Sequence, residues 1–282
     1  MSKSQVVRQA ALIVMAPSSD GHAVRKFLTS SLAGWIVPVA FLLIWQGASL
    51  AGAIPPNVLP APSAVVESAW RLMLNGELLT NIAVSAKRAA TGFVIGGSLA
   101  FAFGLLNGVS RIGETLTDTT FQMVRNIPNL AMVPLVILWF GIEDSARVFL
   151  VALGVFFPIY INTLLGIRTA DTQLIEMARS YGMSNRELFQ RVILPGALPS
   201  IFVGLRYALG IMWLTLIVAE TIAANSGIGY MAMSAREFMQ LDVVVLSILL
   251  YALLGKLADS IARLLERTTL QWHPAFQSGK EE

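Results

Sequence analysis

Six apolar stretches, residues 32–52, 89–109, 121–141, 147–167, 201–222 and 243–264, occupy much of this 282-residue chain. A helix needs about 20 mostly apolar residues to cross a hydrocarbon core, so the stretches predict an all-α polytopic membrane protein with six transmembrane helices. No alternating strand pattern with regular turns appears, which argues against a β-barrel. Composition points the same way. The chain is 55% hydrophobic and 13% charged, where a soluble domain carries about 25% charged residues. The first stretch ends on Ala51-Gly52-Ala53, the small-x-small pattern of a cleavage site. It follows a long leader and exceeds the roughly 7–15 residues of a signal-peptide core, so it reads as a span.

Lysine and arginine are retained on the cytoplasmic side. With the N-terminus inside, the inner segments hold Lys3, Arg8, Arg25, Lys26, Arg111, Arg168, Arg179, Arg186, Arg191, Arg263, Arg267 and Lys280. The outer segments hold only Arg71, Lys87, Arg88 and Arg236, and Arg125, Arg147, Arg206 and Lys256 fall within or at the edges of spans. Both termini are therefore expected in the cytoplasm. The expected organisation is a cytoplasmic segment 1–31, a six-helix domain 32–264 and a cytoplasmic tail 265–282, with residues 168–200 as a cytoplasmic loop.

That loop is too patterned to be a plain connector. Asp171 suits an N-cap, its carboxylate accepting first-turn amides, and a short helix is expected through Arg179. Gly182 suits the left-handed position that ends helices. Ser184 and Glu187 make the Ser-x-x-Glu capping box that opens a second short helix. Pro195 and Pro199 then bracket the start of the fifth span, so the loop reads as helix, glycine turn, helix and proline stop.

Glu176-Met177-Ala178, Gly182 and Val192-x-Leu194-Pro195 resemble the loop motif of ABC-importer permeases, which carry Glu-Ala-Ala, a glycine four residues on, and Ile-x-Leu-Pro. Met177 and Val192 are mild departures, and the spacing is kept. The resemblance extends over roughly residues 32–275. Arg125-Asn126-Ile127-Pro128, Leu138-Trp139-Phe140-Gly141 and Phe157-Pro158-Ile159-Tyr160-Ile161-Asn162-Thr163 are similar to the sulfonate, taurine and nitrate branch. Trp213 through Thr221 and Asn225-Ser226-Gly227-Ile228-Gly229-Tyr230 look closest to aliphatic sulfonate permeases. The resemblance implies a type I importer permease fold in the bacterial inner membrane. It implies two ABC ATPase subunits seated on a coupling loop that includes Glu176, Ala178, Gly182, Leu194 and Pro195. It further implies a periplasmic substrate-binding protein, a second permease copy in a homodimer, and lipid as surroundings, with no nucleic acid. Taurine, nitrate and other organic anions are the alternative cargoes.

The chain shows no chemistry of its own. It has no cysteine, and its two histidines, His22 and His273, lie outside the apolar stretches, so no catalytic or metal site is expected. Gly255-Lys256 lacks the rest of a phosphate loop, since 250 and 257 are leucine where Gly-x4-Gly-Lys-Ser/Thr is needed. No cofactor is expected, and ATP belongs to a partner subunit. Gly227-x-Gly229-x-x-Ala232 fits a dinucleotide fingerprint but follows a helix, and reads as a turn. An ion-coupled secondary transporter is the rival class. Such proteins show inverted repeats and intramembrane carboxylates, and no repeat is visible here.

Inside the spans, Gly92, Gly96, Ala100, Gly104 and Gly108 recur every four residues. Small residues let backbones approach where lipid supplies no hydrophobic drive. Each step of four drifts about 40° around a helix, so the stripe suits a crossed neighbour. Pro128, Pro134 and Pro158 loosen the third and fourth spans, and irregular backbone at membrane depth is tolerated where it is buried in protein or lines water. Intramembrane charges are functional candidates by default. Arg125, Asn126, Asn162, Arg206 and Glu220 are therefore the expected translocation path. Arg206 and Glu220, about 21 Å apart on one helix, cannot pair with each other. Lys256 and Asp259 are placed to pair on one helix face.

Overall fold

The computed structural model describes residues 36–272, all helical or connecting. The chain divides into two units, Met1–Ala64 and Val65–Glu282. His22, His273 and residues 32–35 of the first expected span lie outside the described residues.

In the first unit, α1 (Ile36–Leu50) is apolar over most of its length, with Val37, Phe41, Leu43 and Ile44 exposed, as suits a helix with lipid as solvent. The chain then turns at Gly52, where φ is +72°. Gln46 Oε1 accepts from the Ser63 amide at 3.0 Å and Gln46 Nε2 donates to Ser63 Oγ at 3.1 Å. This satisfies a free amide in the first turn of α2 (Pro62–Leu74).

The second unit is built around three long helices: α3 (Glu77–Val109), α6 (Asp144–Arg168) and α9 (Leu194–Ala223). The small-residue stripe of α3 is the seam with α6. A Cβ on Gly96 would lie 2.2 Å from the Ala152 carbonyl oxygen, one on Gly104 would lie 2.7 Å from Thr163 Cβ, and one on Gly108 would lie 2.8 Å from Ile167 Cγ2. Positions rise together along both helices, so α3 and α6 run parallel. On its other side α6 meets α9 antiparallel. Gly154 faces Ile211 and Thr215, Gly204 faces Pro158 and Asn162, and Gly166 faces Ala197 and Ser200. Glycine on either helix lets these backbones close up. The last long helix, α11 (Leu241–Thr269), follows α10 (Ile228–Glu237), and its Tyr251 packs edge-on to Trp213 of α9 with centroids 6.1 Å apart.

Two sequence expectations are corrected. The third span is not one helix. α4 (Arg111–Arg125) is amphipathic and ends at Asn126, and a 3₁₀ turn (Asn129–Met132) then leads into α5 (Val133–Phe140). The two arms meet at 82°. Pro128, at φ −60° and ψ 116°, removes an amide donor and drives the residue before it out of helical conformation. The second correction concerns Pro195 and Pro199. They do not stop a helix. α7 (Thr172–Ser180) and the short α8 (Asn185–Leu188) are followed by a π turn (Phe189–Ile193) that passes into α9, giving one run from Asn185 to Ile222. Pro195 occupies the first turn of α9, where the missing amide costs nothing. The widened π turn takes up the register, with the Leu194 amide donating to Phe189 O.

Among the described residues, four helical runs, 77–109, 144–168, 185–222 and 241–269, are long and apolar enough to cross a membrane, and the bent α4–α5 pair makes up to five.

Candidate functional site

Three constellations stand out. The first is the hairpin of α7 and α8. Asp171 caps α7, its Oδ1 accepting from the Gln173 amide at 2.8 Å. The Gly182 amide donates to Arg179 O at 2.9 Å and the Met183 amide to Ala178 O at 3.2 Å, with Gly182 at φ +81°. Ser184 and Glu187 close the reciprocal box, Glu187 N to Ser184 Oγ at 3.3 Å and Ser184 N to Glu187 Oε2 at 3.0 Å. Glu176 is exposed and Ala178 is packed inward. Leu194 and Pro195, both half-buried, lie at the base, Leu194 against the Ile167–Ala197–Ile201 cluster. Sequence reasoning overlooked the apolar side chains that this hairpin leaves in the open. Leu174, Met177 and Tyr181, the last 80% exposed, border a groove of about 470 Å³ that Pro195 and Trp272 complete. A capping pattern does not reveal which face of so short a helix stays uncovered.

The second is a cavity of about 610 Å³ at the break between α4 and the 3₁₀ turn, walled by α6 and α9. Arg125 and Asn162 line it, as do Pro128 and Pro158. Asn126 is exposed at the break, as the C-cap of α4. Asn162 Nδ2 donates to Pro158 O at 2.8 Å. Asn129 Nδ2 reaches Leu150 O and Thr215 Oγ1, both at 3.3 Å.

The third is a buried ionic network that gathers charges from widely separated positions. Glu220, 1% exposed, accepts from Ser85 Oγ at 2.8 Å, Arg88 Nη1 at 2.8 Å, the Gly229 amide at 2.9 Å and Tyr251 Oη at 2.9 Å. Arg88 also donates to Asp144 Oδ1 through Nε at 2.8 Å and to Ser226 O at 2.6 Å. Asp144 in turn receives Arg147 Nη1 at 3.1 Å. The turn before α10 is drawn in by its amides, Gly227 N to Asn81 Oδ1 and Ile228 N to Ser85 Oγ, both at 2.8 Å. The glycines here are functional spacers: a Cβ on Gly227 would sit 2.5 Å from Glu220 Oε1 at a φ of +107°. Only Gly227 of the Gly-x-Gly stretch stands in the turn expected from sequence; Gly229 and Ala232 lie in the first turns of α10, and the Gly227 and Gly229 amides serve the network. Arg88, counted from sequence as an outer-loop charge, is a buried helical residue. Its position one residue before the expected second span was the available signal.

Arg206 is placed elsewhere. It bridges α9 to α11 through Asp259 Oδ1 at 3.2 Å and Glu266 Oε2 at 3.4 Å. Asp259 also meets Arg263 Nε at 2.8 Å and, at 4.0 Å, Lys256 Nζ. Of the five residues expected along one path, the structure thus brings Arg125 and Asn162 to one cavity with Asn126 beside it. It sets Glu220 and Arg206 in ion pairs outside the cavity's lining.

The described residues are all helical or connecting, with a broken helix beside an open cavity and a capped hairpin preceding an apolar run. Residues 92–271 match the model of the binding-protein-dependent transport system inner membrane component family, and the chain belongs to that family. Among its relatives, the putative aliphatic sulfonates transport permease SsuC of Escherichia coli K12 is 61% identical over 253 residues, covering 90% of this chain and 96% of the relative. The protein of the same description from Bacillus subtilis 168 is 42% identical, covering 93% and 96%. The taurine transport system permease TauC of Escherichia coli K12 is 33% identical, covering 84% and 88%. A solved amino acid ABC transporter, crystallised with histidines, superposes with a TM-score of 0.59 at 17% identity, covering 71% of this chain and 97% of that one. That likeness shows a shared fold.

Proposed function

We propose that this chain is the inner-membrane permease subunit of an ATP-driven importer of aliphatic sulfonates. Both termini face the cytoplasm, and six spans are completed by α1 and the bent α4–α5 pair. Two copies form the transmembrane core. A periplasmic binding protein delivers the sulfonate, and two ATPase subunits seat on residues 168–200. The carrying observation is the hairpin: its capped arms and left-handed Gly182 hold a short, rigid, apolar-faced helix ahead of the long run into α9. The 61% identity to a sulfonate permease relative supports the cargo. Force applied to α7 passes through the π turn into α9, which walls the cavity, so nucleotide-driven motion at the hairpin reaches the translocation path. Arg125, Asn126 and Asn162 line that path. Glu220 and Arg206 act as fixed posts on which the moving helices bear.

The test is Gly182→Val. A β-branched residue at φ +81° is strained by about 1–2 kcal/mol, and it re-aims α7 while leaving the apolar bundle alone. Membrane levels are expected to stay near wild type, while ATPase co-purification and sulfonate uptake fall at least tenfold. Normal assembly and uptake would remove the hairpin from the coupling role. Uptake that persists without any ATPase subunit would make the protein an ion-coupled transporter. A panel of alkanesulfonates, taurine and nitrate, scored for ATP-dependent uptake, fixes the cargo.

A further inference from the structure

The 610 Å³ cavity has a lopsided chemistry. Its walls are apolar, from Ile127, Leu153, Phe157, Ile211 and Leu214, and one cation, Arg125, stands at its edge. Ligand pockets of roughly 300–1,000 Å³ with apolar walls and a few placed polar groups are the usual form of a small-molecule site. At Gly154 the wall is tightly closed: a Cβ there would lie 2.8 Å from Asn129 Nδ2 and 3.0 Å from Thr215 Oγ1, so the glycine lets α6 pack directly on this polar pair.

Arg125, exposed at the C-terminal end of α4, is the arginine that lines this cavity. Arg88, Arg147, Arg168, Arg206 and Arg263 each meet a carboxylate, and among the described residues no carboxylate pairs with Arg125. Asp118, which lines an adjoining cavity with it, accepts instead from Gln122 Nε2 at 2.6 Å. A guanidinium with five donors and no counter-anion, at the mouth of an apolar chamber, complements a compact oxyanion carried on an aliphatic body.

The geometry points to a substrate subsite within the permease itself, taking organic anions with a short alkyl chain. Arg125 holds the oxyanion head, and the α6 and α9 walls hold the chain. The site rests on the importer reading above and deepens it. It gives the membrane subunit a chain-length preference of its own, in addition to whatever the delivering protein selects. Burial of one methylene favours binding by about fourfold, so affinity at this site rises with chain length until the chamber is full. An inorganic anion such as nitrate satisfies Arg125 alone and binds weakly.

The experiment uses the purified permease–ATPase complex in nanodiscs, without binding protein. Radiolabelled hexanesulfonate is the probe, and ethane-, butane- and hexanesulfonate and nitrate are the competitors. Wild type is expected to bind hexanesulfonate at least tenfold more tightly than ethanesulfonate. Arg125→Gln should weaken all sulfonates at least tenfold, with Arg125→Lys recovering part of the loss. Leu153→Trp, which fills the chamber, should lower the hexane-to-ethane preference about tenfold. ATP-driven uptake is measured in parallel with binding protein present. Sulfonate uptake by wild type together with unchanged binding in Arg125→Gln, or with no chain-length preference, overturns the subsite and leaves the importer reading standing. No sulfonate uptake by wild type overturns the importer reading itself. The native chain lacks cysteine, so Leu153→Cys and Leu214→Cys report contacts cleanly. Efficient disulfide formation between two copies at either position would show the chamber to be filled by a second permease, and would also overturn the subsite.

Discussion

Replacing Arg88 with methionine is expected to destabilise the bundle by about 3–5 kcal/mol, the usual cost of removing one partner from a buried ion pair. Glu220 would remain enclosed by Ser85, Gly229 and Tyr251 with its countercharge gone. The loss falls on several elements at once. Arg88 ties α3 to α6 through Asp144, to α9 through Glu220, and to the turn before α10 through Ser226. A lower apparent Tm of the detergent-solubilised protein and faster proteolysis near residues 224–229 are the readouts. Adding Glu220→Gln to the same chain removes the orphaned charge and keeps an acceptor for the Gly229 amide and Tyr251. The double variant should therefore be more stable than Arg88→Met alone. A coupling energy near zero in this cycle, or a single variant within about 0.5 kcal/mol of wild type, would show that the network contributes little.

The contrast between what the chain announced and what it concealed follows from the range of the interactions. Asp171, Gly182, Ser184 and Glu187 act within four residues of themselves, so the α7–α8 hairpin was readable to its individual hydrogen bonds. The stripe from Gly92 to Gly108 was readable as a packing face because its period is that of a helix. Its partner, α6, was not, because nothing local says which helix will lie against it. The same limit hid the ionic network. Arg88 and Glu220 are 132 positions apart, and Arg206 and Asp259 are 53 apart, so each looked like an isolated charge. Glu220 and Arg206 both suggested a translocation path, because an unpaired intramembrane charge invites that role. Proline gave mixed information. Pro128 breaks the third span outright, whereas Pro195 sits in a first turn behind a π turn and leaves no amide stranded, and Pro199 lies inside the continuous helix. The sequence of a proline alone does not distinguish these outcomes; the preceding turn does.

Gly96→Val is the second substitution expected to have a large effect, and its mechanism is opposite in kind: it adds volume where none exists. The Cβ would lie 2.2 Å from the Ala152 carbonyl oxygen and 2.6 Å from Ala152 Cα. Both are backbone atoms in the middle of α6, so no side-chain rotation relieves the clash. The α3–α6 seam must open, which also lifts Gly92 off Val151 and Gly104 off Thr163 along the same parallel pair. Overpacking costs about 1–3 kcal/mol where side chains can yield, and here the backbone must yield, so about 3 kcal/mol or more is expected. Gly210→Ala is the control. Nothing lies within 4 Å of a Cβ at that position, and alanine in a helix interior is favoured over glycine by about 0.5–1 kcal/mol, so this variant should match or exceed wild type in Tm. The functional consequence separates the seam from general fragility. α6 carries Pro158 and Asn162 on its cavity side, so a displaced α6 changes the chamber even in molecules that stay folded. At a temperature well below its own Tm, Gly96→Val should still show depressed sulfonate uptake with the ATPase subunits bound. Full uptake per folded molecule under those conditions would mean that the glycine seam serves stability alone and does not set the position of α6 in the transport path.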